Sequence, residues 1–184
     1  MFRYSLVLFL FSLIMPSALR AQETKATPVQ WMTFEEAIAK NASYPKKKIF
    51  IDMYTHWCGW CKKMDAETFV DPVVTKFFNE NYYCVKMDAE RKDTITYNGR
   101  EYINPDPGKK RSPHQLAAAL LQGRMSYPSY VILDENNQKL TSMAGYMKTE
   151  SLMPVLEYFA GNYHFKMPYD EYKRMQKASG DAKK

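Results

Sequence analysis

Cys58 and Cys61 stand three positions apart in the segment Trp57-Cys58-Gly59-Trp60-Cys61-Lys62. Disulfide exchange needs one thiolate to attack and a second thiol close enough to release the product; this spacing supplies both. The apolar run Ile49-Phe50-Ile51-Asp52-Met53-Tyr54 reads as a buried strand, so the dithiol falls where that strand turns into a helix. A helix start offers unpaired N–H groups and partial positive charge, which favour thiolate over thiol. A purely structural bridge is the weaker reading, because closing so short a loop constrains the unfolded chain little. The pair could also serve as soft ligands for copper(I) or zinc, although no second ligand pair follows at zinc-site spacing. A third possibility is a non-enzymatic interaction domain. Cys84 lies mid-strand among aromatic residues and reads as a buried, inert thiol.

The elements that must hold this pair are legible in order. The chain has 184 residues, 15% of them aromatic, enough for a core without disulfide staples. Thr33-Phe34-Glu35-Glu36 fits a capping box and opens a helix to about Lys40. The strand to Tyr54 follows, then a helix from Cys58 through Phe69. Asp71-Pro72 caps a further helix that buries Val73, Phe77 and Phe78. Tyr82 to Asp88 is a second core strand. Asn98-Gly99, between Thr94–Tyr97 and Arg100–Ile103, predicts a type I′ hairpin. Asn104 to Arg111 is a loop, and Ser112-Pro113-His114-Gln115 caps a helix from Pro113 to about Gln122. Ser129–Leu133 and Lys139–Ala144 form an antiparallel pair around Asn136-Asn137. A helix follows from about Glu150 to Phe159, and Pro168–Lys177 forms a short outer one. Strand–helix–strand connections give parallel pairing and the short turn adds an antiparallel hairpin. The fold class is therefore α/β, a mixed central sheet with helices on both faces.

Residues 1–21 are of another kind: Arg3, an apolar stretch from Leu6 to Met15, Pro16, then small residues to Ala21. This is the layout of a secretory signal peptide, with cleavage expected after Ala21. Its roughly ten apolar residues fall short of the ~20 that span a bilayer, so stable membrane insertion is not expected. Cleavage would remove Arg3 and Arg20 and no acid, taking the formal charge from +6 to +4. So mild a balance does not argue for nucleic acid. Lys46-Lys47-Lys48 and Lys109-Lys110-Arg111 read as solvated loops.

In five features the chain resembles the thioredoxin-like superfamily, particularly its exported bacterial members. Asp52 lies six positions before Cys58, as the family's buried acid does. Trp57-Cys58-Gly59-Trp60-Cys61-Lys62 corresponds to the redox motif, and Lys86 to the lysine beside that acid. Tyr127-Pro128-Ser129 stands where the family carries a cis-proline, and Gly145 ends the hairpin in the family's manner. The resemblance covers about residues 30–160. It implies a flexible segment at 22–30, a thioredoxin-like domain at 31–165 with an insertion at about 91–111, and a C-terminal helix and tail at 166–184. The inner dipeptide departs from thioredoxin's, being Gly59-Trp60 rather than Gly-Pro.

The resemblance implies an exported protein-disulfide oxidoreductase, periplasmic in a bacterium, acting on cysteine-containing proteins. Cys58, the more exposed of the two, would attack, the buried Cys61 would resolve, and Asp52 would accept the Cys61 proton, its pKa raised by burial. Lys86 either tunes Asp52 by charge or snorkels to the surface. A cis bond before Pro128 would expose the Tyr127 backbone to an extended substrate, with Trp57, Gly59 and Trp60 forming the rim. His56 reads as a solvated loop residue; His114 and His164 carry no assignment. No cofactor beyond the cysteine pair and no metal is expected. The motif lacks the inner histidine of strongly oxidising members, which favours a reductase or isomerase. Such an enzyme needs a membrane electron donor or acceptor.

Overall fold

The computed structural model describes residues 27–43 and 45–181. The expected signal peptide, residues 22–26 and the last three residues of the tail lie outside them. Of the segment expected to be flexible, residues 27–30 pack down: Val29 is buried, and Asn79 takes the Gln30 amide at 2.9 Å.

A two-residue strand, β1 (Trp31–Met32), precedes the first helix and was not expected from the sequence, being too short to show a period. Helix α1 (Phe34–Asn41) starts on the Thr33 capping box, with both reciprocal hydrogen bonds formed. Strand β2 (Lys48–Tyr54) leads to α2 (Gly59–Ala66), and α3 (Pro72–Asn81) to β3 (Tyr82–Asp88). The hairpin β4 (Ile95–Tyr97) and β5 (Arg100–Tyr102) turns through Asn98 at φ 50° and Gly99 at φ 72°, the left-handed pair that a type I′ turn requires. Helix α4 (Gln115–Leu120), strands β6 (Ser129–Leu133) and β7 (Lys139–Ala144), and helices α5 (Thr149–Ala160) and α6 (Tyr169–Asp181) complete the order.

Five strands form one mixed sheet in the order β1-β3-β2-β6-β7, with β1, β3 and β2 parallel and β6 antiparallel to both its neighbours. Strand residues alternate between the faces. Ile49, Ile51 and Met53 of β2 pack with Phe34 and Ala37 of α1 and Leu116 and Leu120 of α4. Phe50 faces the other way, with Met64 of α2, Phe78 of α3 and Leu152 and Leu156 of α5. The β4–β5 hairpin is a separate two-stranded unit, and its Ile95 and Tyr97 close the α1/α4 side.

Several expectations are corrected in detail. Helix α2 stops at Ala66 rather than Phe69; Phe69 instead folds back, its amide bonded to the Met64 carbonyl at 2.9 Å and its ring buried. In α3 Val74, Thr75 and Phe78 are buried, while Val73 is 58% exposed and Phe77 half-buried: Asp71 caps the helix as expected, but the face turned to the sheet begins at Val74. Helix α4 begins at Gln115, not Pro113. The buried His114 ring is the cap, Nδ1 accepting the Leu116 amide at 3.1 Å while Nε2 lies 3.0 Å from the Asp93 carbonyl oxygen. It ends at Leu120 because Gln122 and Gly123 turn left-handed. Lys48 is no solvated loop residue either: it is buried at the start of β2, its ammonium 2.7 Å from Glu135.

Candidate active site

Cys58 is the N-cap of α2, in extended conformation, and its Sγ accepts the Cys61 amide at 3.0 Å. The sulfur thus takes the place of the side-chain oxygen that usually satisfies a first-turn N–H. In the structure Cys58 and Cys61 are joined as a disulfide. Cys58 was expected to be the more exposed, yet the two are equally enclosed, at 4% and 3%. What stands proud is the tryptophan rim around them, Trp57 at 49% and Trp60 at 58% exposure. Gly59 has open space where a side chain would lie, so packing does not demand a glycine there; its absence of bulk leaves the approach to the disulfide open.

Beneath the motif, Asp52 points from β2 to the face of the sheet that α2 covers, the face of Phe50 two residues before it. It is 1% exposed. Register places it opposite Lys86 of β3, whose Nζ lies 3.0 Å from Asp52 Oδ2. Burial pushes the Asp52 carboxyl up from 3.8 to about 6, with the Lys86 charge holding it back. Lys86 therefore sits beside the acid instead of snorkelling to solvent. Its ammonium also bonds Asp65 of α2, and the rings of Trp31, Tyr54 and Phe69 surround it at 5.0–5.5 Å. Burial works against the lysine's charge, but the two carboxylates outweigh it and its pKa rises. Asp65 was missed from the sequence. It stands four residues after Cys61, on the same helix face, a spacing that could have identified it.

The Tyr127–Pro128 peptide bond is cis. The Pro128 carbonyl accepts the amide of Gly145, which has φ +101° at the end of β7. Trp60, Tyr127, Pro128, Gly145 and Tyr146 line a groove of about 280 Å³. Trp60 packs on Tyr146 with ring centroids 5.7 Å apart, and Lys63 lies over both rings. On the other flank Trp57 meets Tyr127 edge-on at 5.8 Å. The structure thus brings Cys58, Cys61, Trp57, Trp60, Tyr127 and Pro128 to one end of the sheet, with Asp52 and Lys86 below.

Tyr146 and Arg111 were also missed. Tyr146 directly follows the glycine that ends the hairpin. Arg111, read as part of a solvated run, stacks its guanidinium 4.6 Å from the Trp57 ring. His56 is 80% exposed beside Asp88. Cys84 is buried, and burial pushes its thiol pKa up. Among the described residues no group of three or more His, Cys, Asp or Glu is placed to hold a metal ion, and no helix is long and apolar enough to cross a membrane.

Residues 13–163 match the family model Thioredox_DsbH, described as a protein of unknown function, DUF255. Over 68 residues, 37% of this chain, the sequence is 29% identical to spermatogenesis-associated protein 20 of Mus musculus. The match takes in only 9% of that protein's length. A solved DsbH oxidoreductase superposes with a TM-score of 0.53 at 17% identity, covering 78% of this chain and 92% of its own. A thioredoxin from Thermus thermophilus gives 0.52 at 15%, covering 72% and 88%. At such identities the likeness is one of fold, and the fold is thioredoxin-like.

Proposed function

Since this chain belongs to the Thioredox_DsbH family of the thioredoxin-like superfamily, we propose that it is an exported thiol–disulfide oxidoreductase that reduces or isomerises disulfides in proteins. The observation that carries this reading is the placement of the Cys58–Cys61 disulfide at the α2 N-terminus, one layer above the buried Asp52–Lys86 pair. In the reduced protein the Cys58 thiolate attacks one sulfur of a substrate disulfide. The other substrate sulfur leaves as a thiolate, and a mixed disulfide forms. Asp52 takes the Cys61 proton, and Cys61 attacks Cys58 Sγ, releasing the second substrate thiol and restoring the Cys58–Cys61 disulfide. Two electrons pass to the substrate, so a membrane electron donor must reduce the pair again. The Cys61 amide beside Cys58 Sγ and the helix dipole favour Cys58 as the thiolate.

The test is insulin reduction by the dithiothreitol-primed protein. Turnover lost in Cys58→Ser, together with mixed disulfides accumulating on Cys58 in Cys61→Ser, is the expected result. Unchanged turnover in Cys58→Ser would overturn the reading. A reduction potential as high as those of strong disulfide oxidants would reverse the direction of electron flow. Export after cleavage at Ala21 is tested by the N-terminal sequence of the protein recovered from the periplasm.

A further inference from the structure

The segment between β3 and α4 is built onto the rim of the disulfide rather than hanging beside it. The side chain of Asn104, 6% exposed, donates to the carbonyls of Glu90 at 3.3 Å, Arg91 at 3.2 Å and Ser112 at 2.9 Å, and accepts the Ser112 hydroxyl at 2.7 Å. One amide therefore ties together the two ends of the insertion. Each end holds Trp57. Glu90 Oε1 accepts the indole N–H at 2.9 Å, and Arg111, left-handed at φ 60° and adjacent to Ser112, lays its guanidinium on the ring. Stacking fixes that cation at the edge of the rim while leaving it exposed to solvent. Lys109 and Lys110 precede it, and Lys62 of α2 is exposed next to Cys61. Among the described residues no carboxylate lies within 4 Å of any of these four cations. Of the acids near the rim, Glu67 is paired with Lys63 and bonded to Tyr146, while Glu90 and Asp88 keep their charge on the Tyr127 side, where they accept the indole N–H and face His56.

We propose that Arg111, clamped on Trp57 by the insertion, makes this rim select polypeptide segments that carry acidic residues next to the reacting cysteine. This deepens the oxidoreductase reading and rests on it for the identity of the attacking sulfur. An unpaired cation beside the reaction centre lowers the energy of an acidic segment as it docks, and disfavours a basic one.

The test is a competition in the full chain carrying Cys61→Ser, using two peptides alike except for glutamates or lysines flanking one cysteine activated as a 2-pyridyl disulfide. The Cys58 thiolate attacks the peptide sulfur, the bond to the pyridyl sulfur breaks, and pyridine-2-thione leaves with its electron pair. Mass spectrometry reads the ratio of the two adducts. The glutamate peptide should be captured about two- to fivefold faster, the range that an exposed ion pair supplies. The ratio should approach one at ~1 M salt, where the screening length falls to about 3 Å. Arg111→Glu should abolish or invert the ratio, Arg111→Lys should weaken it, and the same charge change at Lys173 on α6 should leave it intact. A ratio untouched by Arg111→Glu, moved equally by Lys173→Glu, or favouring lysine from the start overturns the proposal. Capture needs no turnover. Acid-selective capture without insulin reduction would keep this surface and discard the catalytic reading; insulin reduction without selectivity would do the reverse.

Discussion

Asp52 and Lys86 face each other across the parallel strands β2 and β3, and the ammonium that meets Asp52 at 3.0 Å also bonds Asp65 on α2. One lysine is thus shared between a buried carboxylate and a half-exposed one. Burial is what keeps the Asp52 pKa raised with a cation in contact; Lys86 opposes it without cancelling it, and the Asp65 charge adds to the rise.

The raised pKa makes stability depend on pH in a definite direction. Asp52 ionises near 6 in the folded chain and at about 4 in the unfolded one. Between those values the folded state holds the extra proton. The stabilising contribution is therefore full below pH 4 and is lost as pH rises through 6, leaving a buried carboxylate at pH 8. Two pH units correspond to about 3 kcal/mol as an upper figure. Asp52→Asn should accordingly stabilise the protein by about 1–3 kcal/mol at pH 8 and by almost nothing at pH 4, measured by urea denaturation at both. The same substitution should slow release of the mixed disulfide on Cys58, because the acceptor of the Cys61 proton is gone. A difference in stability from the wild type that is the same at both pH values would remove Asp52 as the titrating group.

Asp65 acts on this pair from the helix. Replacing it with Asn removes one negative charge near Asp52 and leaves Lys86 to Asp52 alone; both effects lower the Asp52 pKa. In the proposed mechanism the resolving step rises as Asp52 ionises. Asp65→Asn should therefore move the midpoint of that rise below its wild-type position near pH 6, while Lys86→Met should move it above. Stopped-flow tryptophan fluorescence across pH 4–9 checks both. Shifts in the same direction would show that Lys86 is not the link between the two acids.

Local chemistry made much of this readable. Thr33 with Glu36, Asp71 with Pro72 and Asn98 with Gly99 each set backbone geometry within four residues, and the elements they start are in place. The strand pairing followed from element order. What escaped depends on partners distant in sequence. Trp31–Met32 becomes a strand only because Cys84 and Val85 of β3 lie alongside. Lys48 belongs to a run of lysines and is buried only because Glu135 and Asn162 receive its ammonium. His114 looked unassigned, since the carbonyl that holds its ring comes from Asp93. The site divided in the same way. Cys58, Cys61 and Trp57 announce themselves by spacing, whereas Arg111 reaches Trp57 through a clamp at Asn104 that no local pattern marks.

Cys84 provides a test of the core beneath the site. It is 1% exposed, and burial raises its thiol pKa, so the thiolate needed for alkylation is scarce. Iodoacetamide should leave the oxidised protein unmodified in buffer and label one cysteine in denaturant. Cys84→Ser places a hydroxyl among Phe50, Phe78 and Tyr82 and should cost about 1–3 kcal/mol, with Cys84→Ala costing less. Neither should alter the potential of the Cys58–Cys61 pair, which an alkylation titration in glutathione buffers would show. A changed potential would bring Cys84 into the redox chemistry.

Trp60 separates docking from chemistry. It is 58% exposed, forms one wall of the groove with Tyr146 and Pro128, and carries none of the core packing. Truncating an exposed side chain costs little stability, within about 0.5 kcal/mol, whereas losing an aromatic anchor at a docking surface costs about 1–2 kcal/mol of binding. Trp60→Ala should therefore raise KM for a polypeptide disulfide about five- to thirtyfold and leave Tm almost unchanged. Attack on a small disulfide such as cystamine, which has no chain to lay in the groove, should be far less affected. Equal loss toward both substrates would mean that Trp60 acts on the cysteines rather than on the bound chain.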